Sequence, residues 1–512
     1  MFSLSEILHD PAIAMTNLQI CRTSATARRS RPAGWFHSFI IVLLASVCST
    51  TARAEQRHEN FDKDPGWDAH NNRSTKPQII RQDFGWNPDT SHAGGSRGEI
   101  GGTINPAAEP AYYAKGFATR SFNDVLSASG RIRVEPGSGH TLIGFFDSGT
   151  LNEWRTPNTI ALRINQRGEV FHCHVEYCTR KWRASAGIIG HYDKVRDRMD
   201  AKELPAGRVY NWSLKYDPSG NGGNGLITAT LDDDVASCEL SPGHKADGAS
   251  FNHFGILNVM KQFDNEGTLW LDDVTVNGER EEFTTDPRWD ALGNRRTYET
   301  LNVRPRFDFG YSPTRHAAGK ASGELGGLFF RGDCRYPERL AAYGDRLAEL
   351  NLNRPLRASG KVSLRRGVSD STTLIGFYRS VQSVRVNPSQ QFSTPKDCLG
   401  IAIEGPSSEG FYFYPVYRNQ GEGTGNGANA NSPRIYPDGA AHDWTLNYDP
   451  GAADGNGRIT VTLDDQTVQL DLTPGDKAAG AQFDRFGLIT PWIDGNGQHV
   501  YFDDLTYTCA PD

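Results

Sequence analysis

The chain has 512 residues and a net charge of −7, with 54 glycines, 27 prolines, 10 Trp, 18 Tyr and 25 Phe. That length exceeds what one hydrophobic core usually organises, the aromatic load excludes disorder, and the composition excludes a long helical assembly. A mildly acidic balance gives no electrostatic reason to expect nucleic acid or an anionic membrane as partner.

At the start, Arg28, Arg29 and Arg31 precede an apolar run from Phe39 to Val47, and the segment closes on Ala52-Arg53-Ala54. Charged, apolar and small-residue stretches in that order are those of a secretory signal over residues 1–54, with Met15 as a second candidate start and a twin-arginine signal as the second-ranked route. The apolar run is shorter than the roughly 18 residues needed to cross a bilayer. The mature chain is therefore expected to be secreted, extracellular or periplasmic, without membrane insertion. Losing the segment removes five basic and two acidic residues, which takes the balance to −10, and leaves Cys173, Cys178, Cys238, Cys334, Cys398 and Cys509. In an oxidising compartment this even number points to disulfides, and Cys173 and Cys178 stand close enough to close a small loop; buried free thiols are the alternative.

A repeat organises the mature chain. FDKDPGWDAHNNR from Phe61 matches FTTDPRWDALGNR from Phe283, and DFGWNPDTSHAGG from Asp83 matches DFGYSPTRHAAGK from Asp308. GEIGG from Gly98 returns as GELGG from Gly323, TLIGFF from Thr141 as TLIGFY from Thr373, and NWSLKYDP from Asn211 as DWTLNYDP from Asp443. The closing LWLDDVTV from Leu269 matches VYFDDLTY from Val500. Copies this long are duplicated domains, since solenoid units run about 20 to 50 residues, so two homologous domains are expected over 60–280 and 282–509. Ser127 to Val134, Leu226 to Leu231, Ile459 to Leu463 and Val500 to Phe502 alternate at period two, as strands do, and the cluster from Asp217 to Gly225 reads as a turn between strands. The stretch from Glu338 to Leu350, rich in Leu, Ala, Glu and Arg, reads as a helix confined to the second copy. The fold expected is all-β: two tandem β-sandwich, jelly-roll domains joined near Gly278 to Glu282.

The run W-x-L-x-Y-D-P with G-N-G-x-I-T-x-T-L-D-D, closed by a strand ending in Asp-Asp, resembles the concanavalin A-like, laminin-G-like jelly rolls of secreted bacterial carbohydrate-active proteins. The resemblance covers both copies and implies a polysaccharide partner. It also implies that acidic residues on the last strand help to hold a structural calcium ion. Asp272, Asp273, Asp503 and Asp504 occupy that strand, with Asp62, Asp64 and Asp286 near the domain starts, and oxygen donors of this kind suit calcium. Charge that keeps sheet edges from pairing is the alternative.

Candidate chemistry is confined to a few positions. A Glu-x-Asp-x-x-Glu strand, which would supply two carboxyl groups about 5 Å apart for retaining hydrolysis, is absent from both copies. Glu99 and Glu324 recur but lack an acidic partner two residues away, and Asp232 and Asp464 read as turn residues. His92 and His316 recur inside D-F-G-(W/Y)-x-P-x-x-H-A, as sugar ligands, a general base or packed turn histidines. The copies diverge at Phe171 to Val175 against Phe411 to Pro415. Side chains at i and i+2 share a strand face, so Phe171, Cys173, Phe411 and Phe413 turn to the core while His172 with His174, and Tyr412 with Tyr414, form the other face. That face is the expected sugar surface, and a loop-covered aromatic stripe is the alternative. Zinc on His172 and His174 with His92 or His191 is a lesser possibility. The aromatic strand also resembles that of jelly-roll polysaccharide lyases, which would make His316, Tyr412 and Tyr414 the proton-transfer groups and Arg418 the carboxylate neutraliser. The reading favoured is a secreted polysaccharide-binding protein; a lyase or hydrolase, or a structural surface protein, are the alternatives.

Overall fold

The computed structural model describes residues 55–73, 77–151, 156–195, 198–259, 265–301, 307–367, 370–389, 392–407, 410–429 and 431–510. The expected export signal, residues 1–54, lies outside them. The described chain is almost entirely antiparallel strand, arranged in four large sheets and one small hairpin.

Residues of the first copy build a nine-stranded sheet centred on Leu126–Val134 and Gly267–Val276, and an eight-stranded sheet centred on His140–Phe146 and Thr159–Arg167. Residues of the second copy build the equivalent pair, centred on Leu356–Gly367 with Gly497–Ala510, and on Ser371–Tyr378 with Cys398–Ser407. Alternation along each strand sends one set of side chains between the sheets. Trp212 of one sheet stacks on Phe254 of the other at 6.0 Å, and Tyr507 on Phe486 at 4.3 Å. One core cluster forms among residues 84–289 and a second among residues 307–509, and each is closed by a sheet on either side.

The second cluster also contains Phe61 and Trp67. The segment that opens the first copy thus packs on the second sheet pair. Glu55–Glu59 pairs with Gly497–Ala510, and Asp68–His70 pairs with Ala342–Asn351. Its repeat counterpart does the same for the first pair: Glu279–Glu281 pairs with Gly267–Val276 and Asp290–Leu292 with Tyr112–Ser121, while Phe283 and Trp289 enter the first core. The two dockings match bond for bond. Asn72 gives its Nδ2 to Phe309 O at 2.5 Å and Asn294 gives its own to Phe84 O at 2.5 Å, while Trp67 lies 5.8 Å from Tyr343 and Trp289 lies 5.9 Å from Tyr113. The first glycine of the G-E-(I/L)-G-G block makes room for this strap. A Cβ at Gly98 would stand 2.1 Å from Phe283 O, and one at Gly323 2.1 Å from Phe61 O, both at positive φ. Within the stretch from Gly278 to Glu282, Glu279–Glu281 is accordingly a strand of a sheet, with Lys115 bridging Glu279 and Glu281 at 2.9 Å.

Two expectations are corrected. Glu338 to Leu350 is a 3-10 turn at Pro337–Arg339 followed by the strand Ala342–Asn351. Its Leu and Ala content favours helix locally, but Leu347 and Leu350 are buried in the core and ladders on both flanks, to Gln482–Ile489 and Asp68–His70, take the backbone hydrogen bonds. No disulfide joins the six cysteines; all are buried thiols. Cys173 and Cys178 lie on the one extended strand Val170–Cys178, about 16 Å apart at 3.3 Å per residue, so they cannot close a loop. Burial pushes the Cys173 and Cys398 thiols up to about 12, which keeps them protonated.

Candidate functional site

The strand Gly410–Arg418 sits near the edge of the second copy's seven-stranded sheet, between Cys398–Ser407 and the short edge strand Thr424–Asn426. Phe411 and Phe413 are buried in the core, as their period requires. Tyr412, Tyr414, Val416 and Arg418 alternate onto the other face, where Tyr412 is half-buried while Tyr414, expected on the sugar surface, is buried together with Val416 and Arg418. On that face Glu404 is the hub: Arg331 donates to Oε1 at 2.5 Å, Tyr414 donates to Oε2, and Thr372 donates to Oε1 at 3.2 Å. The Glu404 side chain remains 35% exposed. Beside it, the guanidinium of Arg434 covers the ring of half-buried Tyr412 at 4.2 Å. Burial and the Glu404 carboxylate hold the Tyr414 phenol well above its usual range, so it donates a hydrogen bond and does not act as a base.

Farther along the same face, residues of segments 331–340, 379–389, 392–397 and 491–496 pack over the strand end. Arg418 is only 2% exposed there, between the rings of Phe392 at 4.4 Å and Trp492 at 4.9 Å. A cleft of about 400 Å³ opens alongside, lined by Phe392, Ser393, Thr394, Thr424, Gly425 and Asn426.

The first copy's equivalent strand, Val170–Cys178, places Phe171 and Cys173 in the core and half-buried His172 and His174 on the outer face. Burial and the Arg167 charge lower the His172 pKa, which keeps its imidazole neutral. The charged pair on this face is Arg163 with Glu176, 3.0 Å apart and with both side chains buried.

The recurring histidines lie elsewhere. The His92 ring lies tilted against Trp270 at 4.6 Å and the His316 ring tilted against Tyr501 at 4.4 Å. Val500 and Phe502 are buried in the core, so Tyr501 points away from it and His316 lies on the outer side of the eight-stranded sheet. Tyr412 and Tyr414 lie outside the opposite sheet, so the sandwich separates them from His316, and the proton-transfer set suggested by the lyase resemblance is not brought together. His316 Nδ1 accepts from Arg365 at 2.6 Å, and burial with the Arg365 charge lowers its pKa. The zinc combination is not assembled either: His92 lies on the first copy's other sheet, and His191 is exposed on the hairpin Gly190–Asp193.

What holds the histidine loops is a buried acid at the start of a strand, Glu99 in the first copy and Glu324 in the second. Glu99, fully buried, accepts the backbone N–H groups of His92 and Ala93 at 2.7 and 2.8 Å, and Glu324 accepts those of His316 and Ala317 at 2.8 and 2.7 Å. The signal was present as the seven- or eight-residue spacing from histidine to glutamate, kept in both copies.

Close to each glutamate is one aspartate of the closing strand. Asp272 and Asp503 are fully buried, with Oδ1 held by the next residue's N–H at 2.7 Å and Oδ2 without a partner. Burial pushes their carboxyls up to about 6 and about 7. Asp273 is instead engaged by Arg280 at 2.8 Å, and Asp504 accepts from Lys320 N at 3.4 Å. No three acidic, histidine or cysteine groups converge on a metal position among the described residues. The donor set fits a cation only through the single orphan oxygen of Asp272 and of Asp503.

No protein family and no curated protein matches the sequence. Among solved structures, the chain is similar to domains LG4-5 of the mouse laminin alpha1 chain, at 13% identity over 82% of this chain and 89% of that one, TM-score 0.23. It is also similar to the Emp47p carbohydrate recognition domain, at 10% identity over 41% and 92%, TM-score 0.26. A third is the alginate lyase from Alteromonas sp.272, at 12% identity over 44% and 94%, TM-score 0.21. At TM-scores this low, none of the three bears on which residues act here. No helix among the described residues is long and apolar enough to cross a membrane.

Proposed function

We propose that the chain is an exported polysaccharide-binding protein of two sandwich domains, and that the outer face around Glu404 is its principal sugar surface. The observation that carries this reading is the preset carboxylate of Glu404: held by Arg331, Tyr414 and Thr372 yet still accessible, it offers acceptor capacity for sugar hydroxyls beside the Tyr412 ring. Groups already fixed in place lose little entropy on binding. The His172 and His174 face would provide a second, weaker contact. Two such contacts on one chain favour a repeating polymer, because the second forms intramolecularly.

Binding is preferred to lysis or hydrolysis. Tyr414 is locked as a donor, His316 is on the far sheet, and Glu99 and Glu324 each give both oxygens to backbone N–H groups. Structural calcium is proposed only at Asp272 and Asp503. The mature protein should be passed over a panel of immobilised polysaccharides, read for both retention and released product. Retention that falls at least tenfold in Tyr412→Ala, with the melting temperature kept, is the expected result. Retention by no polysaccharide would sink the reading, and release of unsaturated or reducing ends would replace it with an enzyme.

A further inference from the structure

The outer face around Glu404 runs up to the boundary between the two copies. Tyr412 pairs in register with Glu404 on one side and bridges Arg434 on the other. Ile435 is buried in the second core, so Arg434 and Tyr436 share the outer side with Tyr412. Tyr436 is half-buried and is the diagonal neighbour of Tyr412, about 7–8 Å away. The next ring in the row belongs to the first copy. Trp182, also half-buried, lies 6.0 Å from Tyr436 at a tilt of 33°.

The turn that carries Trp182 does not itself call for a tryptophan. Residues 179–183 close the hairpin between Val170–Cys178 and Ala184–Ile188, with Thr179 N donating to Arg183 O at 2.9 Å. In the second copy Asn419 N donates to Gly423 O at 3.0 Å, and Glu422 stands in the place of Trp182. Trp182 also has a φ of 58°, a left-handed conformation that glycine and asparagine take readily and a bulky aromatic residue does not. Such a conformation persists only where the surroundings over-determine it, and it gathers at functional sites such as ligand clamps. Here the buried Thr179 hydroxyl accepts from Lys181 N and Arg183 N at 3.2 Å each, Thr179 O accepts from Trp182 N at 3.1 Å, and Arg183 is tied to Asp247 at 2.5 Å. The indole is therefore held in a fixed place at the end of the row, and a preset aromatic platform loses little entropy when a sugar ring packs on it.

We infer that Trp182 and Tyr436 carry the Glu404 surface across the boundary, so that one extended saccharide is held by both copies, with Trp182 as the first copy's stacking platform. The inference rests on the polysaccharide-binding reading and narrows it to chains of several sugar units, because the row from Tyr412 to Trp182 runs to about 14 Å. Arg434, whose guanidinium covers the Tyr412 ring, lies between the two tyrosines and carries donors for sugar hydroxyls.

The test uses the full mature chain and oligosaccharide ladders of two to eight units from cellulose, xylan, mannan and alginate, with affinity measured by calorimetry at each length. In at least one ladder the affinity should rise ten times or more from the shortest member to the longest. Trp182→Asn, which places a residue suited to the left-handed turn, should remove most of that rise. In the parent, hydroxyl-radical labelling of Trp182 should fall when the longest member is bound and stay unchanged with the disaccharide. An affinity that does not grow with length, or a rise that survives in Trp182→Asn, would overturn the inference while leaving binding at Glu404 intact. A rise lost in Trp182→Asn without protection of Trp182 in the parent would show that the indole only props the copies together, and would overturn its role as a platform. Binding of no ladder, long or short, would overturn the polysaccharide reading as well.

Discussion

The strands Val170–Cys178 and Gly410–Arg418 hold the same place in their sheets and share their core-facing rhythm, yet their outer faces carry opposite chemistry. In the first, Arg163 and Glu176 neutralise each other within the sheet, beneath two histidines. In the second, Glu404 is organised for contact and Arg418 lies between the rings of Phe392 and Trp492. Duplicated residues such as Phe171 and Phe411 keep the fold, while the substituted ones decide what each copy can bind. A second contrast is covalent. Each sheet pair is closed by an equivalent strap, but the first receives residues 279–295, which follow it, and the second receives residues 55–73 from the far end of the chain.

The largest expected effect breaks that second contrast. Deleting residues 55–73 should lower the thermal transition of the second sheet pair and leave the first near its original temperature, as followed by calorimetry with domain-resolved proteolysis. Trp67→Ala should cost the second pair about 3–5 kcal/mol, the usual range for truncating a buried tryptophan, and Trp289→Ala should cost the first pair a similar amount. Equal loss in both pairs from either change would show that the straps do not act separately.

Next in size is the difference between the charged pairs. Arg163→Ala leaves Glu176 buried and alone, and should destabilise the first pair by about 3–5 kcal/mol in denaturant titration. The double change Arg163→Met with Glu176→Leu should recover most of this. A single variant as stable as the parent would mean that Glu176 finds water or another donor.

The smallest effect concerns the aspartates. Their carboxyls, near 4 when unfolded, are pushed up to about 6 at Asp272 and about 7 at Asp503 in the folded chain. A raised carboxyl stabilises the fold fully below the unfolded value, and that contribution is lost as pH rises through the folded one. Melting temperature should therefore fall between about pH 4 and 7, further for the second pair, and Asp503→Asn should flatten the second pair's slope. Should calcium bind there, millimolar calcium will raise the melting temperature at pH 8 in the parent and not in Asp503→Asn. A flat profile in the parent would show that water already satisfies the orphan oxygen.

Much of the fold was legible in the residues themselves. The strands from Leu126, Leu226 and Arg458, the inward Phe171, Phe411 and Phe413 and the opposite-facing His172, His174 and Tyr412 follow from period-two alternation, a local property of the backbone. The turn at Asp232 and Asp464 was equally local, since both adopt positive φ as short acidic residues tolerate.

Only the tertiary structure decided which partner each local element meets. It placed the strap from Phe61 on a sheet whose closing strand lies near residue 505, turned Ala342 to Asn351 into a strand by giving it neighbours on both sides, and put His316 and Tyr414 on opposite faces of one sandwich. The physical reason is that closing a loop costs only about 0.6 kcal/mol more for each doubling of its length, so a strap can dock from either end of the chain. Sequence periodicity determined which side of each strand faces a core. Which core, and which charge stands opposite Arg331, was settled by contacts between residues far apart in the chain.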